Sequence, residues 1–203
     1  MDPVSDILKD IKLQLRASMN GPVSQSLREK GLTYKIIFGL EWNRICEIAT
    51  GLEKNTALAQ SLWKEDIREC RLLAGLVQPI DEFDESMANV WIESMRFPEE
   101  AQYTVLTLLQ YLPMAKDAAF RWLADERNMF QLCGLLTLTR LLMREVHLTP
   151  ADTEELLDQA ECCLRSDTAY IRTAAHNALL KLAMQGNEYE EKRVESIFTK
   201  GAK

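Results

Sequence analysis

The stretch ALAQSLWKEDIRECRLLAGLV, residues 57–77, carries two apolar patterns that meet at Leu62-Trp63. Apolar residues recur at i, i+3, i+4 and i+7 on both sides, the period of a helix and not the alternation of a strand. Trp63 therefore closes one helix, and Glu65 to Val77 is expected to form a second packed against it. Arg68 and Glu69 sit just inside the second. Their structural reading is an ion pair or helix–helix hydrogen bond that fixes the stacking angle, and a phosphate contact is the alternative.

The same period runs through the rest of the chain, and Gly and Pro fall between the periodic segments. Asp2-Pro3 opens a helix ending near Asn20-Gly21, and Pro22 opens a shorter one through Glu29. After a connector, a helix from about Glu41 stops at Gly51, and Asn55 caps another reaching Trp63. Further helices are expected over 82–95, from Pro98 to about Tyr111, and from Lys116 to Ala124. Asn128 leads into one reaching Arg144, and Thr149-Pro150-Ala151-Asp152 resembles a capping box with Pro at the first helical position. A long helix starts at Asp167 or Thr168 and runs to about Gln185, followed by a last one over 188–199.

These helices pair, with pairs beginning near residues 55, 82, 115 and 150. Ile67, Arg68, Ala74 and Leu76 also match Ile171, Arg172, Ala178 and Leu180 at one constant offset. A helix-pair period with drifting sequence predicts an all-α, HEAT-like α-solenoid of about eleven or twelve helices. It is expected to form a single domain over 1–203 with one continuous core. A compact helical bundle is the alternative architecture.

Composition narrows the functional classes. No apolar run is long enough to span a bilayer, and the N-terminal twenty residues mix charges into their apolar positions, unlike a signal peptide. A cytoplasmic protein with no membrane partner is expected. Five cysteines without a CxxC pair read as reduced thiols, and with only His147 and His176 besides, no metal site is expected. No P-loop, dinucleotide fingerprint or HExxH pattern is present, so no cofactor is expected. A net charge of −7 disfavours non-specific attraction to nucleic acid, although a local basic stripe can exist on an acidic chain.

Four segments in order, IFGLEWNRICEIATGL, ALAQSLWKEDIRECRLLAGLV, ANVWIESM and FRWLADERNMFQLCGLLTLTRLL, resemble the AlkD-type DNA alkylation repair proteins over about residues 27–185. The resemblance implies a HEAT-like solenoid whose concave face holds duplex DNA. It also implies a glycosylase that excises cationic N3- or N7-alkylated purines, using a carboxylate, two tryptophans and a DNA-gripping arginine. Carried over residue by residue, the first tryptophan matches Trp91, the carboxylate position is Met95, the arginine position is Cys133 and the second tryptophan position is Asn177. Trp91 alone is retained. Glu93 is the nearest carboxylate, but two residues along a helix turn it about 200° from Met95. Trp91 and Glu93 are thus the candidate catalytic residues. Excision by the family mechanism is not expected, because methionine offers no charge to a cationic transition state and cysteine cannot replace arginine on phosphate.

Two polar stripes at helical spacing complete the candidate groove: Cys133, Thr137, Arg140 and Arg144 on one helix, and Thr173, Asn177, Lys181 and Gln185 on the next. They read either as a phosphate-tracking surface, with Arg140, Arg144 and Lys181 as its cations, or as ordinary solvated helix faces. Trp91 reads equally as a stacking residue or as core, whereas Trp42, Trp63 and Trp122 read as core. The acidic run Asp81-Glu82, Asp84-Glu85 reads as a helix start, and His176 has no partner motif that makes it catalytic. Two partners fit these features: duplex DNA, damaged or not, or a protein or peptide held by a non-catalytic scaffold.

Overall fold

Helix signals in the sequence translate into twelve helices in the computed structural model, which describes residues 3–201. They are α1 (Pro3–Ala17), α2 (Gly21–Glu29), α3 (Trp42–Thr50), α4 (Thr56–Lys64), α5 (Arg68–Val77) and α6 (Glu85–Glu93). Then follow α7 (Pro98–Thr107), α8 (Ala115–Leu123), α9 (Asn128–Met143), α10 (Pro150–Cys163), α11 (Ala169–Gln185) and α12 (Glu188–Gly201). Among the described residues there is no strand, only an isolated bridge between Ile36 and Ile67. The expected all-α class is the observed one. Asp2, expected to help open α1, lies outside the described residues.

Several caps act as the sequence indicates. The Asn55 side chain accepts the Leu58 N–H at 2.8 Å, and Thr149 and Asp152 form the reciprocal capping box of α10. Each such cap contributes about 1 kcal/mol. Other boundaries move for local reasons. The helix expected from Glu65 starts only at Arg68, because Glu65 to Ile67 are drawn out beside the connector. There the Ile36 N–H donates to the Asp66 carbonyl and the Arg68 N–H donates to the Ile36 carbonyl, both at 3.1 Å. The helix expected over 82–95 is shortened to α6, whose first turn is capped by the Asp84 carboxylate accepting the Met87 N–H. The helix from Pro98 ends at Thr107 and gives way to a 3-10 turn at Leu109–Tyr111.

The chain divides into two compact units, Met1–Met87 and Ala88–Lys203, with the boundary inside α6. The first is organised by a carboxylate. Glu69 is fully buried, and its oxygens accept the N–H groups of Phe38, Gly39 and Leu40 at 2.9–3.3 Å. Arg68 donates to the same carboxylate at 3.2 Å and to the Leu40 carbonyl at 3.1 Å. The connector therefore lies clamped over the start of α5. Gly39 is needed at the turn: its φ is +79°, and a Cβ there would collide with the Asn20 carbonyl and with the Ser24 amide nitrogen at 2.6 Å. Arg71 ties α5 to α4 by donating to the Trp63 carbonyl and stacking 4.2 Å over the Trp63 ring.

In the second unit α9 is the hub, packed against α7, α8 and α11. Its contact with α8 is close enough to exclude a side chain at Gly134, where a Cβ would lie 2.6 Å from the Leu123 nitrogen. Alternate helices are linked in two rows. On one side α7, α9 and α11 pack in succession. On the other, Trp122 of α8 donates to Asn89 of α6 at 2.7 Å, and Lys116 of α8 pairs with Asp152 of α10 at 2.8 Å. The helix α9 ends with Glu145 at φ +59°, while the Val146 and Glu145 N–H groups fold back onto the Leu141 and Leu142 carbonyls.

The buried carboxylate generates a stability prediction. Glu69→Ala leaves three amides and Arg68 without their acceptor out of water, and should cost roughly 3–5 kcal/mol in urea unfolding. A loss below about 1 kcal/mol would show that the clamp is not what holds the connector.

Candidate functional site

Helix α6 and the turn after it carry Trp91, Glu93 and Met95, and they face different ways. Trp91 is 1% exposed and belongs to the core. Glu93 points to solvent, where it pairs with Arg127 at 3.1 Å; Arg127 also holds Asp125 at 2.8 Å and lies 3.8 Å over the Phe130 ring. The Arg127 guanidinium keeps the Asp125 carboxyl below its ordinary range. The structure thus separates the two candidate catalytic residues, one into the core and one onto the surface.

The two substituted positions meet each other. Met95 is 6% exposed and Cys133 is fully buried, and the Cys133 thiol sits 3.9 Å from the Met95 sulfur. Burial pushes the Cys133 thiol well above its ordinary range, so it is neutral and inert as a nucleophile. This corrects the expected polar stripe of α9: Cys133 and Thr137 are core residues and line no groove. The reason is the position of α9, buried on three sides by α7, α8 and α11.

What remains of the stripe faces outward and gathers partners that the periodicity did not indicate. Arg140 is half-buried in a cleft of about 290 Å³ with Gln102, Tyr103 and Leu106 of α7. One turn on, Arg144 donates to the Gln110 carbonyl and its guanidinium lies 4.7 Å over the Tyr111 ring. The repeated Gln-Tyr pair, Gln102-Tyr103 and Gln110-Tyr111, was the available sequence signal. On α11, Thr173, Asn177 and Gln185 are exposed and Lys181 is half-buried. Among the described residues, Arg140, Arg144 and Lys181 take part in no ion pair, whereas Lys116, Arg127, Arg165, Lys192 and Arg193 all do. Unpaired cations on adjoining helices can hold an anion that the chain itself does not supply.

Other candidates resolve as architecture. Trp63 and Trp122 are buried and Trp42 is half-buried. Asp84 caps α6, so one member of the acidic run serves a helix start, whereas Glu82 accepts the Thr56 hydroxyl. His176 stacks on Phe198, with ring centroids 4.8 Å apart. All five cysteines are free thiols. Among the described residues no group of three His, Cys, Asp or Glu is placed to hold a metal, and no helix is long and apolar enough to cross a membrane.

Comparison with known proteins adds the family. The sequence profile described as "DNA alkylation repair enzyme" matches residues 37–196. A search of curated proteins gives no match. Among solved structures, one described as "A new family of proteins related to the HEAT-like repeat DNA glycosylases with affinity for branched DNA structures" superposes with a TM-score of 0.82 at 20% identity. The match covers 92% of this chain and 80% of that one, and it identifies the fold as HEAT-like.

The sulfur contact predicts the cost of restoring a carboxylate. Met95→Asp places an unpaired charge in the core and should lower stability by roughly 3 kcal/mol or more, while Met95→Leu should cost less than about 1.5 kcal/mol. Equal stability of the two variants in denaturant titration would mean that position 95 is not enclosed.

Proposed function

The chain belongs to the DNA alkylation repair family, and from that membership we propose that it binds DNA without excising a base. The observation that carries this reading is the contrast between two surfaces of α9. Its outward side, continued onto α11, bears Arg140, Arg144 and Lys181 with no carboxylate partner. Its inward side has Met95 and Cys133 in contact where the family resemblance calls for a carboxylate and an arginine. Without a preorganised negative charge, the oxocarbenium-like transition state of base loss gains no electrostatic stabilisation. The affinity for branched DNA attributed to the structural relative supports DNA of irregular geometry, beside plain or damaged duplex, as the ligand. We propose further that residues 1–203 act as one HEAT-like repeat domain in the cytoplasm; the five free cysteines agree with a reducing compartment.

A protein or peptide partner is the second reading. It is favoured by the net charge of −7 and by two exposed methionines near the same cations, Met143 and Met184, the latter 78% exposed.

Two assays on the purified chain test the first reading. Methylated duplex DNA should release no N7-methylguanine or N3-methyladenine with the wild type. Binding to four-way junctions and duplexes should weaken with salt, and Arg140→Ala or Lys181→Ala should each reduce the log–log salt slope by about 1. Robust excision that is lost on changing Glu93 or Trp91 would show that another carboxylate acts. Binding to no DNA at all would leave the scaffold reading in its place.

A further inference from the structure

The seam between α7 and α9 has a chemistry that a paired duplex does not use. It presents two aromatic–arginine pairs in succession: Tyr103 of α7 and Arg140 of α9 line one cleft, and Tyr111, in the 3-10 turn after α7, lies under Arg144, the residue that closes α9 one turn further on. Tyr111 is 46% exposed and Tyr103 is half-buried. Arg140 and Arg144 are four residues apart on one helix, roughly 6 Å along its axis, a step that one extended nucleotide can follow. The cleft of about 290 Å³ also holds the Gln102 amide, which can donate to and accept from a base edge, over an apolar floor of Val105, Leu106 and Leu136. Its volume lies at the lower limit of small-ligand cavities, roughly 300–1,000 Å³.

Paired bases hide their faces in the stack, so a tyrosine ring gains little from an intact duplex. Unpaired bases expose those faces, and a groove that alternates ring and cation matches the alternation of base and phosphate along a single strand. We infer that the α7–α9 seam takes unpaired deoxynucleotides, with Tyr103 and Tyr111 stacking on bases and Arg140 and Arg144 holding the intervening phosphates. This rests on the DNA-binding reading above and extends it. A forked or flapped DNA, which exposes unpaired nucleotides beside its paired arms, would be received at the seam through those nucleotides.

The test uses the full chain and a short single-stranded oligonucleotide carrying 2-aminopurine, beside a fully paired duplex of the same sequence. Wild type should quench the 2-aminopurine fluorescence of the single strand. Tyr103→Leu and Tyr111→Leu should each weaken single-strand binding by roughly 5- to 150-fold, the loss expected for one base stack, and Tyr103→Phe should retain it. Duplex binding should change by no more than about twofold in all three. If a leucine variant does not fold, quenching of the single strand by wild type decides the matter, because a phosphate contact alone does not quench 2-aminopurine. Single-strand binding that survives both leucine variants, or no quenching by wild type, overturns the seam while leaving duplex binding intact. Failure of the wild type to bind any DNA overturns the seam together with the reading beneath it.

Discussion

A carboxylate taken fully out of water must have its lone pairs filled, and Glu69 meets that demand with three successive backbone amides and the Arg68 guanidinium. The first unit is arranged around this requirement. It draws residues 38–40 over the start of α5 and leaves Glu65 to Ile67 extended beside Ile36. It also places Gly39 where the chain meets the Asn20–Ser24 backbone. Removing the acceptor would strand several buried donors at once, which is why one side chain outweighs many surface ion pairs. Arg68-Glu69 is therefore architecture, and its burial leaves no route to a phosphate.

The second unit obeys a packing constraint in place of an electrostatic one. The helix α9 touches neighbours on three sides and approaches α8 so closely that residue 134 must lack a side chain. A helix so enclosed has one open side, and everything polar that it offers must be there. Arg140 and Arg144 take that side, while Cys133 and Thr137 are folded inward. Met95 fills the space against the Cys133 sulfur, which turns a position expected to carry charge into part of the core. Fold and site are separate matters here: the HEAT-like frame is present, while Met95 and Cys133 stand where the family resemblance calls for a carboxylate and an arginine, and function resides in side chains grafted on a scaffold.

The sequence made the helices legible because their caps are local. Asn55, Pro98, Thr149 and Thr168 mark helix starts within a residue of those observed. The start of α5 was not legible, since its delay depends on the pairing of Ile67 with Ile36, 31 residues earlier in the chain, and no local signal announces that. The shared fate of Met95 and Cys133 was equally hidden. Helical periodicity tells which residues share a face, but on an almost wholly enclosed helix it does not tell which face stays open. Glu93 is a candidate as the nearest carboxylate, although its rotation relative to Met95 turns it elsewhere, and the structure places it in solvent with Arg127. Tyr103 and Tyr111 escaped notice because each sits in an apolar run, where an aromatic residue reads as core.

DNA binding as proposed uses the outward side of α7, α9 and α11 and leaves the Trp91–Met95–Cys133 core closed. Hydroxyl-radical footprinting of the chain, alone and with a forked DNA that carries an unpaired arm, addresses both halves at once, because methionine and tyrosine report their own exposure. Tyr103, Tyr111 and Met143 are expected to become protected on binding, and Trp91 and Met95 to remain unreactive in both states. Protection elsewhere with none at these three, or oxidation of Met95 appearing when DNA binds, would contradict it.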